Sequence, residues 1–209
     1  MTGGGTIEKL EKLRILDVQC STGAVSRALV PYASHVRGID LDETVVWEYN
    51  RTAAAYDFPK EFMCAVTANL LTPTGGTPWV MMVPDFINLD LVVIAMGFHQ
   101  VRNVSLALNR IFPSLKPGTG TVAIVDFFTP SAEAIVVARA SGFQISQFVN
   151  PGFSVEEIRG YFFWAGYVDV AIVEFQGVYW AGRPRGKIDR ATLSEASLER
   201  RLQDVLCMG

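Results

Sequence analysis

Apolar residues recur along the chain in short runs that alternate with amphipathic stretches, with small or polar residues between them. Leu13-Arg14-Ile15-Leu16 is an apolar run short enough for a strand. After a turn of small residues, Cys20-Ser21-Thr22-Gly23, the apolar positions Ala24, Val25, Ala28, Leu29 and Tyr32 fall at helical spacing. Val36 to Ile39 is a second strand, closed by Asp40. A helix over 43–56 follows, with Val45, Val46, Tyr49 and Ala53 on its inner side and Asp42 and Glu43 at its start. Residues 61–67 form a third strand, and 89–95 a fourth so uniformly apolar that both its faces must be covered. Asn103 caps a helix over 103–115, which Lys116-Pro117-Gly118 stops. A strand over 121–128, a helix over 131–140 and a capped helix from Ser154-Val155-Glu156-Glu157 come next. Alternation over 167–176 and 178–182 gives two closing strands, and 190–208 a last, polar helix.

Strands alternating with helices predict an α/β fold with a mostly parallel sheet. The first unit carries chemistry. Strand, small-residue turn, helix, strand and carboxylate is the layout of a nucleotide-binding βαβ unit. The turn lets a ligand reach the backbone, the helix start offers N–H groups and positive dipole, and Asp40 is placed to accept two ribose hydroxyls. Ligands of open α/β sheets sit at the C-terminal ends of the strands. Met96-Gly97-Phe98-His99-Gln100 falls there, so His99 is either a general base or substrate orienter, or a capping and packing histidine. Asp126 either faces the substrate or caps the loop after the fifth strand. His35 reads as a surface residue, and Trp47 as an edge aromatic or a wall of the site. Over 71–84 a Pro- and Gly-rich loop is interrupted by Trp79-Val80-Met81-Met82, a small strand or a flap. The four aromatics Tyr161 to Trp164 cannot share one helix face, so some must meet solvent, a ligand or a partner.

Composition narrows the function classes. The 209 residues suit one domain with a full core. A net charge of −3 provides no basic surplus for phosphate backbones, which argues against a nucleic-acid partner. Three cysteines without C-x-x-C spacing predict neither a zinc site nor a disulfide scaffold, and no metal is expected. No apolar run approaches a membrane span and Met1 to Lys12 lacks a signal-peptide core, so a soluble cytoplasmic protein is expected.

LDVQCSTG, from Leu16 to Gly23, resembles the first motif of the class I S-adenosylmethionine-dependent methyltransferases, written L-D-x-G-x-G-x-G. Asp17 and Gly23 match it. Gln19 and Ser21 stand where the family has its first two glycines. Asp40 resembles the family's ribose-binding acid, and ANLL around Asn69, DLVVIAMGFHQV around His99, SLKPGTG around Lys116 and GFSVEEIRGYFFWAGY follow in the family's order. The resemblance implies a Rossmann-like, doubly wound sheet of seven strands, mostly parallel with one antiparallel edge strand, and helices on both faces. It places this in a single domain with its core over 13–185. It also implies S-adenosylmethionine as cofactor, bound by Asp17, Gln19, Ser21, Gly23 and Asp40, with Leu41, Asn69, Leu70 and Met96 beside them. His99 and Asp126 are the catalytic candidates.

The implied activity is methyl transfer to a small, largely apolar metabolite, with a place in secondary metabolism. A methyltransferase-like cyclase or isomerase of a biosynthetic pathway, and a non-catalytic partner subunit, are the alternatives. The family carries a longer helical lid before the first strand than Met1 to Lys12 supplies, which implies an open site or a lid from a second chain. A homodimer through that open face or through the C-terminal helix is the corresponding partner expectation.

Overall fold

The first strand, β1 (Leu13–Val18), lies inside the sheet in the computed structural model, which describes residues 12–71, 79–126, 153–174 and 178–184. It pairs in parallel with β2 (Ala33–Asp40) on one side and β4 (Leu91–Ala95) on the other. β3 (Met63–Thr67) extends the sheet beyond β2, and β5 (Thr121–Asp126) extends it beyond β4, both in parallel. These five strands form the parallel part of a Rossmann-like α/β sheet. β6 (Tyr167–Glu174) and β7 (Val178–Pro184) complete the order β3-β2-β1-β4-β5-β7-β6. The expectation of an antiparallel strand at the edge is corrected here. The reversed strand, β7, pairs antiparallel with β5 on one side and β6 on the other, so β6 forms the edge. A tight connection between β6 and β7 can only make an antiparallel pair, and β7 rather than β6 takes the place beside β5.

Each face of the sheet buries its own cluster. On one, Ile15, Val36, Met63, Ala65 and Val93 meet α1 (Ala24–Leu29) and α2 (Glu43–Ala55) through Leu29, Val46, Tyr49 and Ala53. On the other, Leu16, Ile39, Val92, Ile94 and Ile124 meet α3 (Val104–Ile111) and α4 (Val155–Trp164) through Val104, Leu108, Ile158 and Phe162. Successive residues of a strand point to opposite faces, which is why Ile15 and Leu16 serve different clusters. Tyr167 is wedged edge-on against Phe112 and Phe162, and its hydroxyl donates to the Leu108 carbonyl at 3.0 Å.

The helix starts are those the sequence marks. Asp42 Oδ1 accepts from the Thr44 N–H at 2.8 Å and Asn103 Oδ1 from the Leu106 N–H at 2.9 Å. Ser154 and Glu157 form a reciprocal capping box. Two helices stop early, each at a proline. Pro31 turns the end of the first into a 3-10 turn, Val30–Tyr32, and Pro113 does the same at Phe112–Ser114. A proline has no N–H to continue the ladder, and its ring crowds the preceding turn.

Between β3 and β4, Trp79–Met82 and Pro84–Phe86 are 3-10 turns rather than a strand, and Val80, Met81 and Phe86 enter the core. This segment covers His35, which is buried with Nε2 3.2 Å from the Asp85 carbonyl oxygen and not on the surface. Of the four aromatics in α4, Phe162 is fully buried, while Phe163 and Trp164 are 62% and 81% exposed and touch edge to face. Trp47 is exposed, with the Arg51 guanidinium 5.3 Å above its ring. The helices expected over 131–140 and 190–208 lie outside the described residues. Among the described residues no helix is long and apolar enough to cross a membrane.

Candidate functional site

Strand order reverses between β1 and β4, and the C-terminal ends of β3, β2, β1 and β4 lie side by side there. β1 ends in the small-residue turn, which is pinned to β2. The Cys20 N–H donates to the Ile39 carbonyl at 3.1 Å, and the Ser21 N–H donates to Asp40 Oδ2 at 2.9 Å. Asp40 Oδ1 accepts from the Asp42 N–H at 3.1 Å. A carboxylate has about four lone-pair sites, so two backbone donors leave it room for two more.

Beside this turn opens a hollow. Its walls are largely apolar. Val18 and Ile39 come from the strands, Leu41 and Leu70 from the loops after β2 and β3, and Ile94, Val101 and Ala107 from the β4–α3 side. Gln19, Asp40, Asn69 and Gln100 supply its polar groups. Of the residues expected at a cofactor, Gln19, Asp40, Leu41, Asn69 and Leu70 therefore come together.

The remaining expected residues do not line the hollow. Asp17 is 1% exposed, and its Oδ2 accepts from the Ser26 N–H at 3.1 Å and the Ser26 hydroxyl at 2.7 Å. Burial pushes its carboxyl up to about 7, against the pull of those two hydrogen bonds. Asp17 thus ties the start of α1 to β1 from inside. One N–H of this six-residue helix, that of Ser26, is thereby taken by Asp17. Ser21, Gly23 and Met96 are not among the residues that line the hollow; Ser21 and Met96 are exposed beside it. Asn69 Oδ1 accepts from the Leu71 N–H at 2.7 Å, which makes it the former of the turn after β3.

His99 and Asp126, predicted separately, form one unit. His99 Nδ1 lies 2.8 Å from Asp126 Oδ1, and the His99 N–H donates to Asp126 Oδ2 at 2.9 Å. Both are buried, behind the hollow rather than in its wall. His99 Nε2 stands 3.5 Å from the Gln100 amide nitrogen, and Gln100 does line the hollow. Gln100 was missed although it directly follows His99: a polar residue leaving a strand end at the sheet's switch point was the available signal.

The turn has an unusual backbone. Gln19, Ser21 and Gly23 have φ of 59°, 46° and 84°. Every second residue is left-handed, at the three positions where the resembled motif has glycines. A glutamine and a serine hold a glycine conformation that L-residues adopt only at a cost. Two of those three positions are thus filled by residues other than glycine.

The chain is similar to curated methyltransferases over a little more than half of its length. It is 30% identical over 128 residues to an uncharacterised methyltransferase of Schizosaccharomyces pombe, covering 60% of this chain and 43% of that protein. Over 117 residues it is 32% identical to the demethylmenaquinone methyltransferase of Clavibacter sepedonicus, covering 56% and 42%. The chain therefore spans less than half the length of these curated relatives. No family model matches it. Among solved structures, its fold is shared with a geranyl diphosphate C-methyltransferase of Streptomyces coelicolor, at TM-score 0.61 and 15% identity over 81% of this chain and 71% of that one. The cyclase SpnF matches at TM-score 0.62 and 15% identity over 84% and 76%.

Proposed function

We propose that this chain binds S-adenosylmethionine and transfers its methyl group to a small, largely apolar metabolite. The observation that carries the reading is the left-handed backbone at 19, 21 and 23 beside an acid, Asp40, that retains acceptor capacity and faces an apolar hollow. In this reading Asp40 accepts the two ribose hydroxyls, Leu41, Leu70 and Val101 enclose the adenine, and the turn around Asn69 meets its edge. These residues suit an adenosyl group: one carboxylate for a diol and apolar walls for a flat base. When bound, the cofactor supplies an electrophilic methyl group on sulfur. The protein's part is to hold the acceptor in line with it and keep water away. Asp126 and His99 act behind the site, fixing the β4 end and the Gln100 that leaves it. The relatives' names support methyl transfer, and the name of the Clavibacter relative points to an apolar acceptor.

Calorimetry with S-adenosylhomocysteine tests the reading. Binding with a raised melting temperature is expected. A titration silent at millimolar ligand in the natural chain and in Gln19→Gly, with 5′-methylthioadenosine silent as well, would remove it. A second reading, a methyltransferase fold turned to cyclisation or isomerisation, draws support from the SpnF likeness and from the side chain that Gln19 puts into the site. It predicts homocysteine-ligand binding without methyl consumption when candidate acceptors are supplied with labelled cofactor.

A further inference from the structure

The Gln19 side chain crosses from the end of β1 to the turn after β4. A methyl group built on Gly97 would stand 2.5 Å from Gln19 Oε1 and 2.8 Å from its Cδ. Gly97 has φ −132°, an ordinary value for any residue. What the glutamine uses is therefore the missing side chain at 97, not a special backbone. Gln19 Oε1 is buried there without a hydrogen-bond partner. A buried carbonyl left unpaired is costly, so the amide is held by packing alone.

Strand order fixes what this position means for a ligand. The ends of β3, β2, β1 and β4 follow one another across the sheet at roughly 4.8 Å per strand. A nucleoside with its sugar on Asp40 and its base toward Ala68 to Leu71 on the β3 side points its 5′ substituent the other way, toward Gln19 and Gly97. A short substituent ends before reaching them, whereas an amino-acid tail meets the glutamine amide.

We infer that Gln19 is a side-chain gate, closed against Gly97, that the amino-acid tail of an S-adenosyl ligand must displace to bind, so that the closed site takes the adenosine end alone. The inference rests on the cofactor reading above. Opening breaks no hydrogen bond to Oε1, and Gly97 provides the space that the tail then takes. The gate lowers affinity for the tailed ligand by the fraction of time it stands open.

Two ligands separate the ends of the site: S-adenosylhomocysteine, with the tail, and 5′-methylthioadenosine, without it. Each is titrated calorimetrically into the full chain and into Gln19→Gly and Gln19→Ala. Both substitutions are expected to tighten the tailed ligand about tenfold and to move the tailless one less than about twofold. The alanine variant keeps the left-handed strain, so a gain confined to glycine would trace to loop freedom and overturn the gate. An unchanged ratio of the two affinities, or weaker binding of the tailed ligand, would overturn it as well. Binding of neither ligand to any of the three proteins would bring down the cofactor reading itself, and the gate with it.

Discussion

Asp126 holds His99 at two points, taking the backbone N–H with one carboxylate oxygen and the ring Nδ1 with the other, 2.9 and 2.8 Å away. The acid ends β5 and the histidine follows β4, so the pair joins the C-terminal ends of two neighbouring strands. A carboxylate only accepts, so Nδ1 carries a proton and Nε2 is the nitrogen turned toward Gln100. Asp126→Ala strips two buried donors of their acceptor. It should lower unfolding free energy by about 2–4 kcal/mol, read from the urea midpoint at an unchanged slope. A loss under half a kcal/mol would show that water or neighbouring groups replace the carboxylate.

Arg37 and Asp85 form a second polar fixture of the sheet. The guanidinium of Arg37 is buried on β2, reaches Asp85 Oδ2 with Nε at 3.0 Å and one terminal nitrogen at 2.9 Å, and also donates to the Val36 and Glu61 carbonyls. It holds the half-exposed Asp85 carboxyl below the usual carboxylate range. Asp85→Ala leaves a buried cation without its counter-charge, at a cost of about 1–3 kcal/mol after solvent screening. Arg37→Met added to Asp85→Ala should recover much of that loss, because an apolar pair removes both desolvated charges. Chemical denaturation of the two variants checks the order of stability. A double variant weaker than Asp85→Ala would show that the carbonyl contacts of Arg37 dominate.

Much of this arrangement was legible in the residues. The strands followed from apolar runs, and three helix starts from Asp42, Asn103 and Ser154, because both signals act within a few residues. Asp40 was legible as the acid at a strand tip. The union of His99 with Asp126 was not, since 27 positions separate them and only the parallel pairing of β4 and β5 brings them together. Asp17 was assigned to the cofactor by motif position, yet Ser26, nine residues on, draws its carboxylate inward. Sequence spacing says nothing of which side a buried acid faces. The burial of His35 depended likewise on where the 79–86 segment folds back.

Gln19 and Gly97 should be coupled in stability as well as in ligand binding. A methyl group at 97 collides with the glutamine amide, so Gly97→Ala should cost about 1–3 kcal/mol. In a Gln19→Gly background the collision is gone and the same change should cost under about 1 kcal/mol. Thermal or urea unfolding of the two singles and the double gives the coupling. Additive costs would mean that the glutamine leaves the gap freely. Ser21→Gly separately relieves a left-handed residue with an exposed side chain and should stabilise by up to about 1 kcal/mol.

The buried Asp17 gives the fold a pH dependence of unusual sign for a carboxylate. Its folded value, about 7, lies above the 3.8 of an unperturbed aspartate, because burial disfavours the charge more than the Ser26 hydrogen bonds favour it. Between those two values the folded state retains a proton that the unfolded state has released. Stability contributed by Asp17 is therefore full below about pH 4, declines as pH rises, and is lost above about pH 7. Asp85 has the opposite sense, contributing above the ordinary aspartate range and losing its contribution as pH falls. Melting temperatures of the natural chain and Asp17→Asn from pH 4 to pH 8 separate the two, since the amide cannot ionise and every other group is common to both. The difference between the curves should shift in favour of Asp17→Asn as pH rises through this window. Parallel curves would mean that Asp17 is ionised throughout, with the Ser26 N–H and hydroxyl sufficing to hold the charge against burial.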